Sequence, residues 1–314
     1  MQLLRILADG RFHSGEELGS LLGISRSAVA KRLKHLEESQ GIELFAVRGK
    51  GYCLDGGLSL LDAGRLGAAL PQCRVRVEEC IDSTNSLAMR LCREAAGADL
   101  VLAESQTAGR GRRGRQWISP FAQNLYCSRV LRIEQAQTQL EAPSLVVGLA
   151  VARALHRLGL EGAALKWPND ILVEGRKIGG ILLELTGDPA DVCHVIIGIG
   201  LNVNMLQGDI DQAWTSLRSE SGRMFDRNDL CIALIQELDD LLLQHRQQGF
   251  AALRAEWERH HAWQGRPVRL TGGPEVVEGE VLGVADDGSL RLRVAGREQS
   301  FTGGELSLRL QHDS

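Results

Sequence analysis

A segment of interleaved arginine and glycine constrains this chain more strongly than any other feature. Residues 109–117 read Gly-Arg-Gly-Arg-Arg-Gly-Arg-Gln-Trp, which places four guanidinium groups on a backbone with three glycines. Burying unpaired charge is too costly for this segment to join an apolar core, so its arginines must face water or an anion. Glycine lets the backbone approach a ligand closely, and arginine binds phosphates and carboxylates through paired hydrogen bonds. We therefore predict that this segment, called the arginine loop below, is a flexible lid that becomes ordered over an anion.

The glycine spacing of the arginine loop also raises the possibility of a dinucleotide-binding fold. Gly109, Gly111 and Gly114 fit the fingerprint, but that fingerprint requires a helix directly after the third glycine. Pro120 and the polar residues that follow it argue against such a helix, so we exclude this interpretation. A solvated basic loop and a loop that contacts nucleic-acid phosphates remain as alternatives.

Length, charge and cysteine content narrow the class of protein. With 314 residues the chain is long enough for two or three domains. It contains no apolar run of transmembrane length and no signal-peptide pattern, and a net charge of −4 is unlike that of a general nucleic-acid coat. Its seven cysteines are scattered without a Cys-x-x-Cys pair, which favours reduced thiols over disulfides or zinc. We expect a cytoplasmic protein that does not enter a membrane.

The N-terminal part predicts a winged helix-turn-helix. Residues 1–54 carry eight Lys/Arg against six Asp/Glu, although the whole chain is acidic. Ser14 and Ser25 are placed to cap two helices on either side of a turn at Gly23. The predicted helices are 15–22 and 26–38, and the predicted wing strands are 44–47 and 51–54. The candidate DNA-binding residues are Arg26, Ser27, Ala30, Lys31, Arg48 and Lys50. A module for protein contact or dimerisation is the alternative.

Polar motifs in the middle of the chain predict a ligand pocket. Asp-Ser-Thr-Asn at 82–85 opens a helix predicted to reach about Ala96, and Lys-Trp-Pro-Asn-Asp at 166–170 precedes a short strand. Lys177 lies close to two glycines in the sequence. In the predicted strand 195–204, apolar residues alternate with residues that include two glycines, so one face is apolar and the other leaves room for close approach. Each feature also has a purely structural explanation: a helix cap for residues 82–85, an ordinary turn for 166–170, a solvated side chain for Lys177 and tight packing for strand 195–204.

The remaining segments complete a mixed helix and strand pattern. Helices are predicted over 59–70, 144–158 and 228–248, the last capped by Asn228. From residue 265 to 310, five short strands around glycine-containing turns predict a small barrel. The sequence contains no Ser/His/Asp set, paired catalytic carboxylates or His-x-x-x-His spacing that would suggest a nucleophile or a zinc site.

The order of these motifs resembles that of the bacterial biotin–protein ligases of the bifunctional type, which also repress biotin biosynthesis genes. The resemblance covers essentially the whole chain, and lipoate ligases, which share the fold, lack the arginine loop. It implies an α+β protein with a class II synthetase-like central domain of mixed α/β structure and an SH3-like C-terminal barrel. The implied domains are a winged helix-turn-helix at 1–57, a catalytic domain at 58–263 and the barrel at 264–314.

The resemblance also implies the reaction and the partners. Such enzymes join biotin to ATP as biotinyl-5′-AMP with Mg²⁺. They then transfer biotin to a lysine of the biotin carboxyl carrier protein of acetyl-CoA carboxylase. The family further implies operator DNA as a partner and a homodimer promoted by biotinyl-5′-AMP. A transcription factor that binds biotin only as an effector is one alternative, and an RNA-binding protein is another.

Site residues follow from the family motifs. Those implied for biotin are Ser83, Thr84, Asn85, Gln106, Arg110, Gly111, Arg112 and Lys177. Those implied for ATP and the adenylate are Arg110, Arg112, Arg113, Arg115, Trp117, Lys166, Asn169, Asp170, Lys177 and Asn202. Arg112 and Lys177 would be catalytic through their charge, and Asp170 would bind the metal. No nucleophile is needed, because the carboxylate of biotin itself attacks the α-phosphate.

Overall fold

The structure, a computed structural model, describes residues 2–54, 56–94, 97–134, 142–187, 192–273, 275–304 and 306–311. The predicted helix end at Ala96 lies outside the described residues. Within them, no helix combines the length and the apolar character needed to cross a membrane.

The N-terminal part is the predicted winged helix-turn-helix. The Ser14 hydroxyl accepts a hydrogen bond from the amide of Glu17, and the Glu17 carboxylate accepts one from the amide of Ser14. The Ser25 hydroxyl caps the next helix, so both predicted caps are confirmed. Gly23 makes the turn between them with a φ of 64°. The elements are α1 (Gln2–Leu7), α2 (Gly15–Leu22), α3 (Arg26–Gln40), β1 (Leu44–Val47) and β2 (Gly51–Leu54).

A seven-stranded sheet forms the central part. Its strands are β3 (Val75–Ile81), β4 (Leu100–Gln106), β5 (Leu125–Glu134), β6 (Ala163–Lys166), β7 (Asp170–Val173), β8 (Arg176–Gly187) and β9 (Val192–Leu201). They lie in the order β3-β4-β5-β9-β8-β7-β6, with β3 and β4 parallel and the other neighbours antiparallel. The central helices are α4 (Ala63–Ala69), α5 (Thr84–Arg93), α6 (Pro143–Arg157), α7 (Leu217–Ser221), α8 (Arg227–Gln248) and α9 (Ala251–Arg259).

The two faces of this sheet pack against different helices. Apolar residues of β9 that point to one face, such as Ile197 and Ile199, share the main core with buried residues of α6 and α8. On the opposite face, Ile196 packs in a smaller cluster with Leu87 and Leu91 of α5. The alternation predicted over 195–204 is confirmed for residues 195–201, but the strand ends at Leu201 and not at residue 204. Helix α5 lies on the face that carries the glycines.

The C-terminal part is a five-stranded antiparallel sheet, and the five predicted strands are confirmed. They are β10 (Pro267–Thr271), β11 (Val277–Val284), β12 (Leu290–Val294), β13 (Arg297–Phe301) and β14 (Ser307–Leu310). Their order is β13-β12-β11-β10-β14.

The predicted helix over 59–70 begins late, and the predicted cap of α8 is wrong. Helix α4 begins only at Ala63, after Asp62. The residue that caps α8 is Asp226, whose carboxylate accepts from two amides of the first turn. Asn228 instead bonds to the backbone of residues 60 and 62, with distances of 2.9 and 2.8 Å. These tertiary bonds hold the segment before α4 in a non-helical form.

A buried ion pair links this segment to the sheet. Arg227 and Glu104, respectively 0% and 2% exposed as side chains, form a salt bridge. Arg227 also donates to the carbonyls of Ser59 (2.7 Å) and Asn124 (2.8 Å), and Glu104 accepts from the amide of Leu61 (2.7 Å). Because a buried pair is tolerated only when its remaining donors and acceptors are satisfied, these bonds are part of its stability. They fix the end of β4, from which Gln106 enters the candidate site.

Candidate active site

Most of the predicted ligand residues line two adjoining cavities at one end of the central sheet. The inner cavity is lined by Ser83, Thr84, Asn85, Gln106, Arg110, Gly111, Arg112, Trp117, Tyr126, Asn169, Lys177 and residues of β8 and β9. The lysine cavity is lined by Arg112, Arg113, Arg115, Lys166, Asn169, Asp170, Lys177 and neighbours. The two cavities share Arg112, Asn169 and Lys177, so groups bound in each would meet at these side chains.

Hydroxyl and amide groups form one end of the inner cavity. Ser83 and Thr84 are buried at the start of α5. Ser83 stands in the N-cap position but makes no side-chain cap hydrogen bond, so a cap does not account for its hydroxyl. Gln106 accepts from the amide of Thr84 (2.9 Å) and donates to Ser119 (2.9 Å), which fixes its orientation. This end of the cavity therefore presents polar groups in set positions.

Glycines in β8 and β9 make room for side chains. A Cβ on Gly200 would lie 2.5 Å from Cε2 of Trp117, and one on Gly198 would lie 2.4 Å from Oδ1 of Asn85. Gly180, which pairs with Gly200 across the strands, would also crowd the Trp117 ring. The sequence predicts that a ligand or another backbone approaches this face, whereas the structure places the side chains of Trp117 and Asn85 there.

The arginine loop is a small hairpin. The amide of Gly111 donates to the carbonyl of Arg115 (2.7 Å), and that of Trp117 donates to Gly109 (2.8 Å). Its tip, Arg112–Gly114, is a single 3-10 turn. Arg112 donates to Oδ1 of Asn169 (2.7 Å) and to carbonyls of the C-terminal part, Leu306 (3.0 Å) and Gly304. The tip of the loop therefore connects the site with the C-terminal sheet.

Asp170 lies between two lysines at the far end of the site. Its carboxylate is 2.6 Å from Nζ of Lys177 and 3.2 Å from Nζ of Lys166. Burial raises the pKa of Asp170, but the two ammonium groups more than offset this, so its pKa lies below the usual value. Burial lowers the pKa of Lys166, and Asp170 only partly opposes that effect. Lys177 also lies over the ring of Trp117, at 5.6 Å from the centroid.

The arrangement around Asp170 does not fit a metal site held by the protein. Both carboxylate oxygens face lysine ammonium groups. Among the residues that the structure describes, no three His, Cys, Asp or Glu side chains are grouped to hold a metal ion. Mg²⁺ in nucleotide sites is often bound through few carboxylates and mainly through substrate phosphates and water. We therefore assign no step of the chemistry to a metal at Asp170.

Asn202 is the predicted nucleotide residue that lines neither cavity. It is buried, and its amide donates to the carbonyl of Thr215 (3.0 Å). The backbone of Thr215 and Ala213 in turn bonds to Lys177, on either side of Trp214. Asn202 therefore supports the segment that flanks Lys177.

Three residues near the cavities escaped the sequence analysis. Tyr126 lines the inner cavity and donates its hydroxyl to Pro120 (2.9 Å). Glu184 of β8 binds Arg110 (2.6 Å), and Trp214 pairs with the backbone of Lys177. A signal existed for Glu184, because it lies an even number of residues after Gly180 and hence on the same strand face.

The six predicted DNA-binding residues are all exposed. Arg26, Ser27, Ala30 and Lys31 lie in the first turns of α3, and Arg48 and Lys50 lie in the turn between β1 and β2. Helix and wing thus both present these residues to solvent, as a DNA contact requires.

Comparison with known proteins decides the family. Family models match three successive parts of the chain: an HTH domain at residues 1–53, the biotin/lipoate A/B protein ligase family at 77–202, and the biotin protein ligase C terminal domain at 265–309. The chain is 40% identical to the bifunctional ligase/repressor BirA of Escherichia coli (strain K12) over 98% of this chain and 97% of that protein. It belongs to the bifunctional biotin ligase/repressor family.

Other members of the wider ligase family match a smaller share of this chain. The biotin–[acetyl-CoA-carboxylase] ligase of Paracoccus denitrificans is 36% identical over 69% of this chain and 93% of that protein. The biotin protein ligase from Aquifex aeolicus, solved in complex with biotin and ATP, superimposes with a TM-score of 0.68 at 28% identity. The superposition covers 76% of the present chain and 99% of the Aquifex chain. The predicted fold class of winged helix-turn-helix, ligase part and C-terminal sheet is thus confirmed.

The contact between Gly200 and Trp117 allows a test of whether the position of the Trp117 ring in the inner cavity affects ligand binding. In Gly200→Ala the added methyl group must displace the indole, because it would lie 2.5 Å from that ring on a central strand. Overpacking of this kind costs about 1–3 kcal/mol. We expect biotin affinity, measured by titration calorimetry, to fall by about tenfold.

Gly67→Ala is the matched control, since an added Cβ at this position in α4 meets no atom within 4 Å. It should leave the affinity unchanged. Equal affinities of the Gly200 and Gly67 variants would show that the position of Trp117 does not matter for the ligand.

Proposed function

We propose that this chain is an ATP-dependent biotin protein ligase that also represses biotin biosynthesis genes. It would form biotinyl-5′-AMP from biotin and ATP. It would then transfer biotin to a lysine of the biotin carboxyl carrier protein of acetyl-CoA carboxylase. The observation that carries the proposal is the meeting of two cavities at Arg112, Asn169 and Lys177. One cavity has a polar, uncharged end and the other is cationic, as joining biotin to a nucleotide requires.

The side chains that line the inner cavity suit biotin. Its ureido ring needs a few fixed hydrogen-bonding groups at one end and an apolar or aromatic wall along the rest. Ser83, Thr84 and Gln106 would supply the polar end, and Trp117 would supply part of the wall. The carboxylate of biotin would then point toward Arg112 and Lys177.

Adenylation would proceed by direct attack. A carboxylate oxygen of biotin forms a bond to the α-phosphorus of ATP as the bond to the pyrophosphate oxygen breaks, so protons need not move. The protein would hold two anions together and stabilise the charge that develops on the phosphate. Arg112 and Lys177 would make these contacts, and each charged hydrogen bond is worth about 1.5–3 kcal/mol.

Transfer would use the mixed anhydride as the activated acid. The neutral amine of the carrier lysine attacks the acyl carbon and an amide bond forms. AMP leaves with the electron pair of the broken C–O bond, and the nitrogen releases one proton to water. A lateral cleft of about 710 Å³ lies beside the arginine loop and would admit the lysine side chain.

Several finer assignments remain predictions. Arg113, Arg115, Lys166, Asn169 and Asp170 would surround the nucleotide, with Asn202 acting through the segment next to Lys177. Mg²⁺ would accompany the triphosphate, and the lysine contacts of Asp170 argue against its predicted role as a metal ligand. We also propose domain boundaries at 57/58 and 263/264, a cytoplasmic location, and a homodimer promoted by biotinyl-5′-AMP.

Biotin-dependent exchange between pyrophosphate and ATP tests the ligase activity. The wild-type chain should catalyse this exchange, and Lys177→Met should slow it by about 10- to 100-fold through loss of a charged contact to the phosphate. Lys34→Met, a change of an exposed lysine on α3, should leave the rate unchanged. A wild-type chain that binds biotin but shows neither exchange nor labelling of a carrier domain would instead be an effector-binding regulator.

Binding to duplex DNA from upstream of biotin biosynthesis genes tests the repressor activity. We expect Lys31→Ala to weaken binding and to lower the salt dependence by about one counterion, because its exposed ammonium would neutralise a phosphate. Arg297→Ala, on the C-terminal sheet, is the control and should bind as wild type does. Unchanged binding by Lys31→Ala would remove α3 from the DNA interface.

A further inference from the structure

We propose that Glu184 is a positioning residue that sets biotin affinity and retention of the adenylate by holding the stem of the arginine loop. This inference rests on the proposed ligase function. Oε2 of Glu184 accepts hydrogen bonds from Arg110 (2.6 Å) and from Nδ2 of Asn85 (2.8 Å). A single carboxylate oxygen thus joins β8 to the arginine loop and to the start of α5.

Asn85 anchors this carboxylate to the interior of the sheet. Its Oδ1 accepts from the fully buried hydroxyl of Ser128 (2.5 Å), and its Nδ2 donates to the carbonyl of Leu182 (3.3 Å) as well as to Glu184. Gly198 provides the space for the amide, since a Cβ there would overlap it. The Asn85 amide is therefore engaged on both sides by the protein. It supports Glu184, and the direct contact of Asn85 with biotin that the family resemblance implies stays a prediction.

The position of Arg110 explains why this anchor affects the ligand. Arg110 begins the hairpin of the arginine loop, where its backbone bridges to Gln116, and its side chain lines the inner cavity. It is also one of four arginines whose charges repel one another within the loop. Glu184 compensates one of these charges from a rigid strand. The stem is held close to the polar end of the cavity as a result.

The position of Arg112 distinguishes the proposed role of Glu184 in ligand binding from the chemical step. The guanidinium of Arg112 lies at the tip of the hairpin and bonds to Asn169, two residues along the loop from Arg110. The proposed contacts to phosphate are made by Arg112, which bonds to Asn169, and by Lys177, which pairs with Asp170, whereas Glu184 pairs with Arg110. Glu184 should therefore govern how tightly biotin and the adenylate are held, with little effect on the rate of bond formation once they are bound.

Substitutions of Glu184 should weaken ligand binding to different degrees, according to which hydrogen bonds they remove. Glu184→Gln keeps an oxygen that can accept from both donors but loses the charge that strengthens the bond to Arg110. Glu184→Ala loses both bonds, while Asn85 keeps its bond to Leu182. Arg110 is 38% exposed, and ion pairs of this exposure contribute little to global stability. The melting temperature should therefore stay near the wild-type value.

The test compares these variants in the full chain by pyrophosphate exchange and by release of preformed biotinyl-5′-AMP. Glu184→Ala should raise the KM for biotin and the dissociation rate of the adenylate by about tenfold or more, with kcat within about twofold of wild type. Glu184→Gln should show a smaller change in the same two quantities. Glu79→Gln, at an exposed carboxylate on β3 of the same sheet, is the control and should behave as wild type.

A double-mutant cycle with Arg110→Met decides whether the two residues act together. If they do, the double variant should be no weaker in biotin binding than the weaker single variant. Additive effects, or a fall of kcat and melting temperature without a change in KM, would overturn the proposal. If the wild-type chain bound biotin without exchange, the ligase function would fail. The affinities measured by calorimetry would then still decide the role of Glu184.

Discussion

The site depends on holding concentrated positive charge next to a cavity without burying it unpaired. Two carboxylates, one at each end of the site, pair with these positive charges. Glu184 binds Arg110 and the amide of Asn85, and Asp170 binds two lysines. Arg112, between them, donates to an amide oxygen and to backbone carbonyls. Both cavities share Arg112 and Lys177, so a carboxylate or phosphate bound where the cavities meet would accept charge-assisted hydrogen bonds from these two side chains.

The rest of the fold keeps these groups in place. Glycines in β8 and β9 let Trp117 and the Asn85 amide lie against the sheet, and the buried pair of Arg227 and Glu104 fixes the end of β4. The same pair bonds to the segment that enters α4 from the winged helix-turn-helix. Phe121, a few residues beyond the arginine loop, is buried in the core of that N-terminal part. The segment that follows the arginine loop is therefore packed into the core of the N-terminal part.

Sequence reasoning recovered what local patterns encode. The caps at Ser14 and Ser25, the wing strands and the C-terminal strands all follow from nearby residues, and the structure confirms them. The grouping of most of the predicted site residues around two cavities was also foreseeable, since the motif order indicated it.

Contacts between distant residues account for what was missed. The segment before α4 is not helical because Arg227 and Asn228, more than 160 positions away, bind its backbone. Asn85 turns toward Ser128, and Glu184 meets Arg110 only after β8 has been placed beside the loop. These pairings are set by the sheet order, which local periodicity does not contain.

A crystal structure of the full chain with biotin and a non-hydrolysable ATP analogue tests the central claim most directly. The account predicts a biotin ring system between Thr84, Gln106 and the Trp117 side of the inner cavity. It also predicts that the biotin carboxylate and the α-phosphate meet at Arg112 and Lys177. Density for either ligand elsewhere, with both cavities unchanged and Arg112 still bonded only to the protein, would contradict it.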